Sequence, residues 1–65
     1  MKILLDDYMH QYNLTERQVE YLTGVSKNMI HRIRAGEISP RIDIMEQLAK
    51  GLRIRITDLF ESDYK

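Results

Sequence analysis

Between positions 26 and 35 the chain carries four side chains, Lys27, Asn28, His31 and Arg32, whose type and spacing suit directed hydrogen bonding. At about 100° per residue, Asn28, His31, Arg32 and Ala35 fall on one side of a helix. Ser26, Met29, Ile30 and Ile33 fall on the other, and Lys27 sits on the flank near the start. The forked guanidinium of Arg32 can span O6 and N7 of a guanine, and the carboxamide of Asn28 can pair with N6 and N7 of an adenine. Lys27 suits either guanine or phosphate, and His31 is turned either to a groove or simply to solvent. This is chemistry for reading the edges of bases.

Other chemistries find less material. His10 and His31 are the two histidines, they lie on different predicted helices, and there is no cysteine. A metal site needs more ligands than that pair supplies, so none is expected. Asp6 and Asp7 are adjacent, so on a helix they diverge, and nothing near them in sequence would shift a pKa. No nucleophile–base pair is present, so no catalytic residue, cofactor or small-molecule ligand is expected. Tyr8 and Tyr12, one turn apart, fit core and boundary packing better than a platform for stacked bases.

Charge adds a second signal. The chain has 10 basic and 10 acidic residues, a formal balance of zero, which is unusual for a nucleic-acid binder. The distribution is uneven. Residues 1–23 set Lys2 and Arg17 against Asp6, Asp7, Glu16 and Glu20, and residues 56–65 set Lys65 against Asp58, Glu61 and Asp63. Residues 24–55 set Lys27, Arg32, Arg34, Arg41, Lys50, Arg53 and Arg55 against Glu37, Asp43 and Glu46. The middle is positive between two negative ends, so one face can meet phosphate while the others repel it.

The elements that must position these groups are helices. Sixty-five residues with 43% apolar content make one domain, 1–65, with a marginal core. Period-2 alternation is too short anywhere for a sheet, so an all-α, compact five-helix bundle is expected. Leu5, Tyr8, Met9 and Tyr12 mark a first helix over about 3–12. Thr15 and Gln18 form a capping box flanked by the staple pair Leu14 and Val19, which opens a second helix at about Glu16 that stops before Gly24. Ser26 caps a third helix closed by Gly36, with Val25 and Ile30 as its staple. Ser39 before Pro40 predicts a fourth helix with Pro at its first position and Arg41 in its first turn. Met45, Leu48, Ala49 and Leu52 form its core face. Thr57 and Asp58 predict a short fifth helix with Leu59 and Phe60 inward. Residues 62–65 are expected to be a loose tail. Only Thr23-Gly24-Val25-Ser26 separates the second helix from the third, the spacing of a helix-turn-helix unit over about 15–36. The third helix can then enter a major groove about 12 Å wide.

Leu14-Thr15, Gln18-Val19, Leu22-Thr23-Gly24-Val25-Ser26, Ile30, Ile33, Gly36, Ser39-Pro40, Met45, Leu48-Ala49-Lys50, Leu52 and Leu59-Phe60 resemble the phage-repressor/Cro/Xre helix-turn-helix family over about residues 4–60. The resemblance implies a five-helix, lambda-repressor-like domain that binds double-stranded DNA as a transcriptional regulator, commonly as a homodimer on a pseudo-palindromic operator. It implies base reading at Lys27, Asn28 and Arg32, with His31 on the same face. It implies phosphate contact or positioning at Thr15, Ser26 and Arg41, with which Arg17 and Arg34 are grouped.

The chain departs from the family at several places. Glu16 stands where a phosphate-touching Gln is common, and Glu20 replaces a small Ala that lets the second and third helices pack closely. Met9 and Arg34 replace a common Arg–Glu pair, which leaves Arg34 free to reach phosphate. Arg53 replaces a common Gly after the fourth helix, so that turn is expected to be strained or differently built. Glu16, Glu20 and the zero net charge favour an alternative: a protein-binding helix-turn-helix module such as an antitoxin or accessory subunit. No apolar run reaches the roughly 18 residues of a membrane helix, so a cytoplasmic location is expected.

Overall fold

The computed structural model describes all of residues 1–65. In chain order the elements are a strand β1 (Lys2–Ile3), helices α1 (Leu5–Gln11), α2 (Glu16–Thr23), α3 (Lys27–Arg34) and α4 (Ile42–Leu52), a 3-10 turn (Ile56–Leu59) and a strand β2 (Phe60–Glu61). The chain is mostly helical, with four α-helices and one two-stranded antiparallel ladder.

The caps of α2 and α3 are those the sequence predicts. Thr15 Oγ1 accepts from the Gln18 N–H at 3.1 Å, and the Gln18 side chain accepts from the Thr15 N–H at 2.8 Å. Ser26 Oγ accepts from the Met29 N–H at 3.2 Å. Each such cap contributes about 1 kcal/mol by satisfying an otherwise orphaned donor. α2 ends at Gly24 in the left-handed conformation, φ 76°, where an L side chain would crowd the backbone.

α1, α3 and α4 end in the same double hydrogen-bond pattern, with Asn13, Gly36 and Arg53 in the left-handed position. Leu14, Glu37 and Ile54 donate back to Met9, Arg32 and Ala49, and the left-handed residues donate to His10, Ile33 and Lys50. This is the Schellman arrangement. Arg53, with φ 58° and ψ 45°, therefore adopts the strained turn expected where glycine is absent.

Eleven apolar side chains form the core, among them Leu5, Met9, Val19, Ile30, Leu48 and Leu59 at no more than 1% exposure. The expected face of α4, Met45, Leu48, Ala49 and Leu52, is buried in full. α4 packs across α2. Gly51 makes the crossing possible, because a Cβ there would lie 2.5 Å from the Leu22 carbonyl oxygen and 2.5 Å from Thr23 Cα. Gln47 fastens the same crossing, its Nε2 donating to the Thr23 carbonyl at 3.0 Å.

Several expectations are corrected. The first helix begins at Leu5 rather than 3, because Lys2 pairs with Glu61 and Ile3 with Phe60, and Leu4 N–H donates to the Leu59 carbonyl at 2.8 Å. These strands of two residues are too short for any alternation to reveal. The fourth helix begins at Ile42 with Arg41 as its N-cap residue, so Pro40 lies outside it and Arg41 is not in its first turn. A first-turn donor, the Ile44 N–H, is met by Asp43 from inside the helix rather than by Ser39 from outside. The fifth helical element is one 3-10 turn. Thr57 lies within it, and the Asp58 carboxylate takes the Arg55 N–H at 3.0 Å, doing the capping expected of Thr57.

Candidate nucleic-acid interface

Three residues, Gly24, Val25 and Ser26, join α2 to α3. Val25 is buried and its N–H donates to Thr23 Oγ1 at 3.2 Å, while the Thr23 hydroxyl donates to the Val19 carbonyl at 2.7 Å. The turn thus satisfies its own buried polar groups and holds α3 against α2. Ile30 and Ile33 face the core and Met29 is half-buried.

The opposite face of α3 is exposed and polar. Lys27, Asn28, His31 and Arg32 all lie on it. Arg32 has a loose partner, Glu37, at 3.6 Å, and its side chain is 48% exposed. Thr15 and Arg17 are exposed at the start of α2 and Ser26 at the start of α3. Thr15 and Ser26 spend an oxygen lone pair on their caps, which leaves each hydroxyl hydrogen free to donate. Arg41 stands apart, 79% exposed before α4 and paired with Asp43 at 3.1 Å.

Arg34 departs from expectation: it is not free. Its side chain is 23% exposed, its Nε donates to Asp6 at 2.7 Å and its Nη1 to Glu16 at 3.1 Å. The guanidinium ties α3 to both α1 and α2. Its partner lies one turn before Met9, which is itself fully in the core. Two acidic groups within hydrogen-bond reach engage the guanidinium and leave it half-buried.

The two unusual carboxylates are both answered from α3. Glu16 accepts from Arg34 and lies 3.0 Å from His31 Nδ1, with only 18% of its side chain exposed. The hydrogen bond from His31, with the Arg34 charge and hydrogen bond behind it, holds Glu16 below the usual carboxylate range against the opposing effect of desolvation. Glu20 does not wedge the helices apart. Its carboxylate turns over the start of α3 and accepts from the Lys27 N–H at 2.8 Å. A carboxylate at a helix N-terminus also meets the positive end of the helix dipole. Sequence reasoning marked Glu20 as an oversized substitution and missed this cap. The signal was its place seven residues before Lys27, one helical turn before the connecting residues.

The comparisons with known proteins bear on the same unit. A family model for a Cro/C1-type HTH DNA-binding domain matches residues 4–63. The chain belongs to that family. No curated protein and no solved structure matches it. Membership agrees with the resemblance read from the sequence and gives the domain a general role, DNA binding. In this Cro/C1-type chain no helix is long and apolar enough to cross a membrane.

Proposed function

We propose that the chain is a sequence-specific regulator of transcription, repressor-like, that acts in the cytoplasm by occupying double-stranded DNA. α3 enters the major groove with Lys27, Asn28, His31 and Arg32 toward the base edges. Thr15, Arg17, Ser26 and Arg41 meet phosphate. The observation that carries this reading is the exposed polar face of α3, held rigidly by a capped turn in a Cro/C1-type domain. A single module of this kind buries about 600–1,000 Å² on DNA, so tight binding needs a homodimer on half-sites roughly 34 Å apart.

The test separates reading from positioning. Bound fragments are selected from random duplex DNA, and two variants are measured on the selected site over a range of salt. Arg32→Ala should cost about 1–3 kcal/mol and relax preference at one base pair. Arg41→Ala should weaken all sequences alike and make the salt slope shallower by about one. An Arg32→Ala protein with unchanged affinity and preference removes α3 as the reading element.

A second reading, a protein-binding module, draws on one feature. Leu14, Tyr21 and Leu22 line an open depression of about 490 Å³ on α2, and Tyr21 is 88% exposed. Binding to DNA that is indifferent to salt, or absent, favours this reading, because phosphate contacts must weaken as salt rises.

A further inference from the structure

One outward side chain of α3 has its hydrogen-bonding sense set by another helix. His31 Nδ1 lies 3.0 Å from Glu16 Oε2. An ionised carboxylate only accepts, so Nδ1 carries the hydrogen whether the ring is neutral or charged. Glu16 is itself fixed in place. Arg34 Nη1 donates to the same oxygen at 3.1 Å, and Arg34 Nε is anchored by Asp6 at 2.7 Å. His10 stands 3.4 Å from the other Asp6 oxygen and ends the chain of charges. Toward His31, then, face Glu16 from α2 and Asp6 from α1. On α3 itself Arg34 lies one turn on and Lys27 one turn back. Because His31 and Arg34 hold Glu16 below the usual carboxylate range, it stays an anion across the range in which imidazoles titrate.

The other ring nitrogen is placed differently. The His31 side chain is 63% exposed, on the face shared with Asn28 and Arg32, and Nε2 makes no hydrogen bond within the chain. With Nδ1 committed as the donor, the neutral ring presents Nε2 as a bare acceptor. Protonation converts that same atom into a donor without moving the ring.

Resting on the DNA-binding reading above, we infer that His31 is a proton-controlled specificity residue. When neutral, it accepts from the exocyclic amine of cytosine or adenine. When protonated, it donates to an acceptor edge, guanine O6 or N7 foremost. The added positive charge also strengthens phosphate attraction, so total affinity rises as the pH falls. Glu16 acts through His31 as a positioning residue, since beside a group that can also donate, such as a carboxamide, the tautomer is no longer fixed.

The experiment is selection of bound fragments from random duplex DNA by the full chain at about pH 8 and about pH 5.5, within which imidazoles titrate. One position in each half-site should change from cytosine or adenine at the higher pH to guanine at the lower, by about tenfold in preference. Positions read by Asn28 and Arg32 should keep theirs. His31→Gln should select one motif at both pH values, and His10→Gln should keep the switch. A second measurement needs no DNA. Imidazole nitrogen NMR of the free protein at about pH 8 should show His31 with its hydrogen on Nδ1, and Glu16→Gln should mix the two tautomers. A native His31 with its hydrogen on Nε2 overturns the inference whatever the DNA result. A selected motif identical at both pH values overturns it while leaving the DNA-binding reading intact. Selection of no fragment at either pH overturns both.

Discussion

The helix-turn-helix half of the molecule, residues 15–36, and the C-terminal half, residues 41–61, close their helices by related geometry with different residues. In the first half, α2 and α3 open on side-chain caps, Thr15 and Ser26, and are followed by Gly24 and Gly36 at positive φ. In the second, α4 opens without a side-chain cap hydrogen bond and is followed by Arg53 in the left-handed region. The first half is specified locally, residue by residue. The second is held in shape by what it packs against: α2 at the Gly51 crossing, and β1 through the ladder with Phe60 and Glu61. On the function proposed above, α3 must arrive at DNA with its side chains already aimed, and local specification supplies that. The C-terminal half has only to brace it.

The comparison is broken most severely at Gly51, where the two halves touch. Gly51→Ala puts a methyl against the Leu22 carbonyl and Thr23 Cα, both backbone, so α4 must move away from α2. Overpacking of this kind costs about 1–3 kcal/mol. In a domain this small that lowers the thermal midpoint by about 4–8 °C for each kcal/mol. An unchanged midpoint would mean that α4 does not brace α2 at this point.

A smaller effect, of the opposite sign, sharpens the contrast. A non-glycine residue in the left-handed region costs about 1–2 kcal/mol, and glycine gives part of that back through the freedom of the unfolded chain. Arg53→Gly should therefore stabilise the fold by about 0.5 kcal/mol. Urea titration would show it as a higher midpoint at unchanged slope. A loss of stability would show instead that the Arg53 side chain makes contacts worth more than the strain.

The mildest test is acid, and it addresses the first half. Glu16 has a folded pKa below its unfolded one, so the folded state binds fewer protons there. The stability it supplies is complete above the unfolded carboxylate value of about 4.3, and is lost as the pH falls through the lower folded value. Native protein should thus lose thermal midpoint on acidification more steeply than Glu16→Gln, compared between about pH 5 and pH 2. Parallel curves would remove Glu16 as the clamp between α2 and α3.

What could be read in the sequence follows the same division. Caps are legible because donor and acceptor lie three residues apart. The Thr15–Gln18 box and the Ser26 cap are therefore legible in the sequence, and the core face of α4 is legible from helical periodicity. The outward placement of Lys27, Asn28, His31 and Arg32 was visible for a related reason, since helical periodicity fixes which side chains share a face. Contacts between distant residues carry no such signature. The clasp of Arg34 by Asp6 and Glu16 spans 28 and 18 positions, and the sequence pointed instead to a free arginine. Pro40 after Ser39 had a helix-start signature, yet Asp43 inside the next turn won the competition for a donor. The ladder of Lys2–Ile3 with Phe60–Glu61 was invisible because two residues have no period.

That ladder has a consequence for engineering. Lys2 and Glu61 are partners across it, so the first and last elements of the domain lie side by side. A flexible glycine–serine tether spans about 5–6 Å times the square root of its residue number, so a handful of residues could bridge ends this close. A circular permutant closed there, with its new ends opened between Gly36 and Arg41, would keep Thr15, Ser26 and the caps they make in unbroken sequence. The domain could likewise be inserted into a surface loop of a host protein, entering and leaving through one narrow doorway.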